Sequence, residues 1–233
     1  MSLNIQKNSI FIADSHYNEQ RADLFSLLKK IQLKKIETTQ LFLMGDIFDF
    51  ICCESNFFVK KNKEVIDILN ELSKQIEIIF LEGNHDFNLK KLFPNIKVYS
   101  RSEQPAFAKM GNKSVALTHG DLFINSSYDF YCAVIRNNYF LSFLNLIDIN
   151  NWLTKKINKH LLSKNICHII DDFEDLVKKR ILNFKEDVII EGHYHQGKQF
   201  IFDKKEYINI PSLACGGEYG VFLNNKIVKK SVY

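Results

Sequence analysis

Short apolar, β-branched runs recur along the chain, and each stops abruptly in a small polar cluster. Residues 9–13 run into Asp14, Ser15 and His16, and residues 40–44 into Gly45, Asp46, Ile47, Phe48 and Asp49. Residues 76–81 lead through Glu82 to Gly83, Asn84, His85 and Asp86. Residues 114–118 run into His119, Gly120 and Asp121, and residues 187–190 lead through Glu191 to Gly192, His193, Tyr194 and His195. Near-continuous apolar runs of this length suit strands covered on both faces. Between the first three runs, Leu24, Leu27, Leu28 and Ile31 form one stripe at helical spacing, and Val65, Ile66, Leu69 and Leu72 form another. Strand alternating with helix predicts a largely parallel sheet with helices packed outside it. Ligands bind such sheets beyond the carboxyl ends of the strands, so the polar clusters converge on one rim.

After His195 the pattern shortens. Residues 199–203, 206–210, 220–223 and 226–228 read as strands parted by turn residues, predicting antiparallel hairpins that complete a second sheet. Gly216 and Gly217 read as a turn there. Residues 122–184 form an insert richer in helix signals than a crossover requires. Its broad apolar stripe runs from Tyr131 and Val134 through Phe140, Phe143 and Leu146 to Trp152 and Ile157, with Lys155, Lys156, Lys159 and Lys164 alongside. Two readings stand: a helical cap packed on the core, or a lid offering acyl chains an apolar groove, its lysines near an anionic head group or membrane surface. Asp171–Arg180, acidic at its start and basic at its end, reads as a structural helix.

The 233 residues, 46% hydrophobic and 25% charged, suit a single domain over 1–233 carrying that insert, and exclude collagen and wholesale disorder. Neither a signal peptide nor a membrane span is evident, which points to a cytoplasmic protein. The net charge of +4 is spread over lysine doublets and reads as a solvated surface, so no nucleic-acid partner is expected. Five cysteines without CxxC spacing read as reduced thiols.

Five of the seven histidines (16, 85, 119, 193 and 195) fall inside the polar clusters, together with Asp14, Asp46 and Asp86; His160 and His168 read as structural. Carboxylates and imidazoles packed on one rim repel and resist desolvation unless cations neutralise them. Oxygen donors from Asp14, Asp46 and Asn84 beside imidazoles, without thiolates, favour Mn, Fe, Zn or Co. Seven donors exceed the needs of one ion, so two divalent ions about 3.5–4 Å apart, sharing a carboxylate and activating a bridging water for attack on phosphorus, suit them better.

Asp14-x-His16, Gly45-Asp46-x-x-Asp49, Gly83-Asn84-His85-Asp86, His119-Gly-Asp121 and Gly192-His193-x-His195, in that order over residues 10–195, resemble the calcineurin-like metallophosphoesterase superfamily. The resemblance implies an α/β fold, an αββα sandwich of two mixed β-sheets flanked by helices, with the helical lid inserted. It also implies that Asp14, His16, Asp46 and His195 hold one metal ion, and that Asp46 bridges to a second held by Asn84, His119 and His193. His85 would face the leaving oxygen, with Asp86 orienting its ring; Asp49 and Asp121 would fix loops. The lid and its Tyr128, Tyr131 and Arg136 are similar to the branch that cleaves UDP-2,3-diacylglucosamine in lipid A synthesis. That likeness implies release of UMP and 2,3-diacylglucosamine 1-phosphate, usually with manganese, at the cytoplasmic face of the inner membrane. Asn84, His85, His195 and Arg136 would then contact substrate, Arg136 at its head group. This chain has His85 where well-known members of the branch carry Arg, and Asp49 where Glu is common. Two rivals are a phosphatase or phosphodiesterase for nucleotides or phosphoproteins and a non-catalytic metal-binding scaffold.

Overall fold

Side-chain alternation along the strands sets the layers. In the computed structural model, which describes residues 3–233, Ile10 and Ile12 of strand β2 (Ile10–Ile12) face one side of a sheet and Phe11 the other. The same holds for Leu41 and Leu43 against Phe42 in β3 (Gln40–Leu43), and for Ile78 and Phe80 against Ile79 and Leu81 in β5 (Glu77–Leu81). These strands pair in parallel, with β7 (Lys97–Tyr99) beyond β5. On the other edge β13 (Glu218–Leu223) runs antiparallel to β2 and to β14 (Lys226–Ser231). The outer face of this six-stranded sheet is covered by the apolar stripes of α1 (Asp23–Gln32) and α3 (Lys63–Leu72), the latter preceded by the short α2 (Asn56–Lys61).

The second sheet has the order β1 (Leu3–Asn4), β8 (Ala106–Met110), β9 (Lys113–Thr118), β10 (Val188–Glu191), β12 (Lys205–Asn209), β11 (Gln199–Phe202). Strands β9, β10 and β12 are parallel. Their inward side chains, among them Val115, Leu117, Val188, Ile190 and Ile208, meet Phe11, Phe42, Ile79 and Leu81 to form the central layer. Phe11 and Phe42 stack there, ring centroids 4.5 Å apart. On the far side Ala116, Ile189 and Tyr207 are covered by Phe173 and Val177 of α7 (Phe173–Arg180). The result is helix, sheet, sheet, helix, as expected. A two-stranded parallel ribbon, β4 (Ile51–Cys52) with β6 (Asp86–Phe87), lies beside the rim.

Three expectations change. The strands after His195 form two antiparallel hairpins, as expected, but only the first of them completes the second sheet. Strand β12 extends the second sheet by pairing with β10, while β13 crosses to the first and pairs with β2. Gly216 and Gly217 end a single helical turn, α8 (Leu213–Gly216), with Gly217 as its left-handed C-cap at φ 63°. The cysteines are not all thiols: Cys167 and Cys215 form a disulfide, and Cys52, Cys53 and Cys132 are free. The bonded pair lies 48 residues apart in sequence, so spacing carried no sign of it.

Between β9 and β10 the insert supplies α4 (Ser126–Ile135), α5 (Asn138–Ile147) and α6 (Trp152–Leu162) before α7. Only part of its stripe meets the body of the protein. Leu141, Leu144, Leu153 and Ile157 face Phe50 and Phe58 across a cavity of about 60 Å³. Much of the rest is bare: Tyr139 is 88% exposed, Leu146 80%, Phe130 72% and Trp152 67%. The cap reading therefore fails for this face, which leaves the core uncovered by it. Among the described residues no helix is long and apolar enough to cross a membrane.

Because Phe42 is fully buried between the sheets, Phe42→Ala should lower stability by about 3–5 kcal/mol. Urea denaturation should show a lower midpoint at an unchanged m value; an unchanged midpoint would contradict the packing described.

Candidate metal centre

The polar clusters turn sharply off the strand ends, and the backbone records it. Asp14, His16, Asp46, His193 and His195 all have positive φ, between 39° and 64°. Such conformations are disfavoured for residues with a Cβ and persist where surrounding structure imposes them, most often at functional sites. Two glycines make room for the turns. A Cβ on Gly45 would collide with the His119 ring, and one on Gly83 with the Asp46 carboxylate and backbone.

The predicted donors meet. Asp14, His16 and His195 form one group whose ligand atoms lie within 4.8 Å of one another, and Asp46, His119 and His193 form a second. His195 Nε2 stands 3.4 Å from Asp14 Oδ1. His119 Nε2 stands 3.2 Å from Asn84 Oδ1, 3.2 Å from His193 Nδ1 and 3.6 Å from Asp46 Oδ1. Asp46 reaches both groups, since its other oxygen is 3.9 Å from His16 Nε2.

Tautomers follow from the acceptors. His119 Nδ1–H donates to the Met44 carbonyl at 2.9 Å, and His195 Nδ1–H to the Ile166 carbonyl at 2.9 Å. In the neutral rings this leaves Nε2 as a lone pair turned inward. A carboxamide oxygen, imidazole nitrogens and carboxylate oxygens then confront one another with few protons between them. Asp14 Oδ1 and His16 Nδ1 are buried without a hydrogen-bond partner. The site fits two divalent cations, which would take Asp14 Oδ1, the Asp46 carboxylate, the Asn84 carboxamide oxygen and the inward ring nitrogens as donors, while His16 Nδ1 faces Asp49 Oδ1 at 3.7 Å.

The same crowding shifts the ionisation of these groups. Burial opposes ionisation of Asp46, but the His119, His85 and His16 imidazoles outweigh it and hold its carboxyl well below the usual range. Burial likewise opposes a charge on His119, yet Asp46, Asp121 and Asp14 raise it to about 9. His193 goes the other way, lowered to about 4 by burial and by the neighbouring His119. Burial also lowers His16, whereas at His195 it is outweighed by Asp14, which raises the ring above its ordinary value.

Two assigned roles change. Asp86 does not touch the His85 ring. Its buried carboxylate accepts N–H groups of Asp46, Ile47, Phe48 and Gly83, fixing the loops that present Asp46 and Asn84. Burial, then the nearby Asp46, push its carboxyl upward. The ring of His85 is held instead by the Asp49 carbonyl, which accepts from Nδ1 at 2.7 Å. Arg136 is not brought into the metal pocket. Its Nη2 donates to the Gly83 carbonyl at 2.8 Å, its guanidinium lies over the Phe87 ring, and Asp121 and Glu82 carboxylates stand 3.6 and 3.8 Å away. It anchors the insert to the Asn84 loop. Asp49 and Asp121 do fix loops, binding Asn18 with Arg21 and Arg101 respectively.

The donors open into a pocket of about 200 Å³ lined by His16, Asp46, Asn84, His85, His193 and His195 and closed on one side by residues 164–170. His168, read from sequence as structural, is part of that wall with Lys164. A lone histidine outside any strand-end motif gave no sign of this. Ile170 and Tyr194 are shared with an adjoining cavity of about 680 Å³, whose walls include Phe123, Ile124 and Leu176.

Two donor groups joined by one carboxylate, at the rim of a two-sheet sandwich, define a metal-dependent phosphoesterase with a dinuclear centre. The chain belongs to the calcineurin-like phosphoesterase family, whose model matches residues 8–197. It is 26% identical over 199 residues to the UDP-2,3-diacylglucosamine hydrolase of Histophilus somni strain 129Pt, covering 82% of this chain and 85% of that one. The protein of the same name from Wigglesworthia glossinidia brevipalpis is 23% identical over 210 residues, covering 86% and 84%. Among solved structures, the E. coli phosphoesterase YfcE is similar over 97% of this chain and 100% of its own, at 14% identity and TM-score 0.48.

At pH 7, below the His119 value of about 9, metal-free protein holds protons on rings that must release them to bind a cation. Manganese added to metal-free protein in a pH-stat should therefore liberate about one to two protons per chain at pH 7, fading as pH rises through 9. Release that does not change with pH would contradict these assignments. Gly83→Ala, which drives a methyl group into Asp46, should leave purified protein largely free of bound metal by elemental analysis.

Proposed function

We propose that this phosphoesterase hydrolyses the pyrophosphate of UDP-2,3-diacylglucosamine, giving UMP and 2,3-diacylglucosamine 1-phosphate, with manganese as the native metal. The observation that carries the reading is a phosphoryl-hydrolysing centre set beside bare apolar surface. The insert exposes aromatic and aliphatic side chains, and a mostly apolar cavity adjoins the metal pocket through Ile170 and Tyr194. A nucleotide or phosphoprotein substrate would leave that surface unused. The name carried by the relatives supports the same substrate. The exposed Tyr139, Leu146 and Trp152, with Lys155, Lys156 and Lys159 nearby, suit shallow contact with an anionic leaflet at the cytoplasmic face of the membrane.

The residues divide the work. Asp14, His16, Asp46 and His195 would hold one ion, and Asp46, Asn84, His119 and His193 the other. Bound there, divalent ions supply Lewis acidity toward phosphate oxygens and lower the pKa of water. His85, fixed through Nδ1 by the Asp49 carbonyl, presents its Nε2 edge to the pocket. From there it can donate a proton or a hydrogen bond to an oxygen gaining negative charge. Lys164 on the wall offers positive charge to a diphosphate.

Asp46→Ala should abolish metal binding and activity together. His85→Ala should keep both ions and lower turnover by about 10²–10⁴-fold; undiminished turnover would remove its role. With manganese present, UDP-diacylglucosamine should be preferred over bis-p-nitrophenyl phosphate and cyclic nucleotides by orders of magnitude in kcat/KM. Equal rates across the panel would overturn the lipid substrate and leave the phosphoesterase standing.

A further inference from the structure

Beside the metal pocket lies chemistry that hydrolysis does not use. Cys167 and Cys215 are joined with their Cα atoms 5.5 Å apart, closing a loop of 48 residues. Cys167 belongs to the strap of residues 164–170, which has no regular secondary structure and walls the pocket with Lys164, Asn165, Ile166, His168 and Ile170. Cys215 belongs to α8, which is bound to the strand end carrying Asp14: Ser212 Oγ and the Ala214 N–H both donate to the Asp14 carbonyl, at 2.8 and 3.2 Å. The bond thus ties the irregular strap of the wall to the strand end that carries Asp14.

His195 sits between the two. The Ile166 carbonyl that accepts from its Nδ1–H is one residue from Cys167, and Cys215 Sγ is 3.7 Å from the same nitrogen. Apart from the disulfide and the Ile166–His195 bond, the strap is tied to the rest of the protein by few polar contacts: the side chain of Gln196 to His168 and Ile170, and Arg21 to the Lys164 carbonyl. Both cysteines are exposed, so a thiol can reach them. Exposed disulfides exchange readily, whereas structural ones resist reduction, and in a reducing compartment those that form are mostly catalytic or redox-sensing.

We propose that Cys167 and Cys215 form a thiol–disulfide exchange site whose substrate is a dithiol reductant and whose state sets the closure of the metal pocket. A reductant thiolate attacks one sulfur and forms a mixed disulfide, and the other cysteine leaves as thiolate. The second reductant thiol then displaces the first cysteine, so that the protein gains two electrons and two protons and the reductant departs as its own disulfide. Reduction frees the strap, and with it the carbonyl that aims His195 at the metal. The effect on metal binding rests on His195 being a ligand, as assigned above.

Thiol titration of the unfolded full chain should find three thiols before dithiothreitol and five after it. Trypsin cleavage after Lys164 in the metal-free folded chain should speed up at least about fivefold on reduction, since local opening sets exposure to protease. Manganese affinity, measured anaerobically after removing reductant, should weaken by a similar factor. Cys167→Ser and Cys215→Ser should each show the reduced behaviour with or without reductant. Five thiols before reduction, or the same cleavage rate in both states, would overturn the exchange site. Equal manganese affinity would remove the link to His195. Loss of all phosphodiester hydrolysis by manganese-loaded protein in both states would instead count against the catalytic reading, because thiol counts and cleavage do not depend on it.

Discussion

Carboxylates and imidazoles crowded into a buried rim are stable only if something positive stands among them, and the rest of this molecule is arranged around that demand. Asp14, His16, Asp46 and His119 are all drawn out of water, and His119 Nε2 stands 3.2 Å from both His193 Nδ1 and Asn84 Oδ1. Desolvation of this kind costs several kcal/mol per unpaired charge. The fold tolerates it because each donor is fixed from behind. Met44, Ile166 and Asp49 carbonyls orient three of the rings, and Asp86 draws together the N–H groups of two loops. Left-handed turns at the strand ends place the side chains inward at a conformational cost that only the completed layers can hold.

The same economy governs how the insert is attached. Arg136 is the hinge between two functions: its guanidinium offsets Glu82 and Asp121 near the metal loop while its helix carries the apolar face outward. An arginine with this many buried acidic neighbours acts by position. Its Nη2 donates to the Gly83 carbonyl while Nε and Nη1 are buried without a hydrogen-bond partner, so its charge, more than a full set of hydrogen bonds, couples the insert to the loop that carries Asn84 and His85. The strap that walls the pocket is coupled to His195 through the Ile166 carbonyl.

Much of the site was legible because its residues are local in sequence. Asp14 with His16, Asn84 with His85, and His193 with His195 announce themselves as pairs, and a buried apolar run before each fixes them to a strand end. What each neighbour does was less legible. Asp86 follows His85 directly, yet it turns away to collect backbone N–H groups, while the group that aims His85 is the carbonyl of Asp49, 36 residues earlier. Side-chain identity suggests an acid next to a base; only backbone direction decides which of them meet.

Strand periodicity, the helical stripes and the donor chemistry are properties of adjacent residues, and the sequence alone determined them: two covered sheets, a polar rim and a demand for divalent cations. Partnerships across long separations needed the tertiary structure. It alone assigned β12 and β13 to different sheets, bonded Cys167 to Cys215, moved Arg136 from the pocket to its foundation and brought His168 to the wall. Such contacts depend on which distant surfaces pack, and neither spacing nor composition encodes that choice locally.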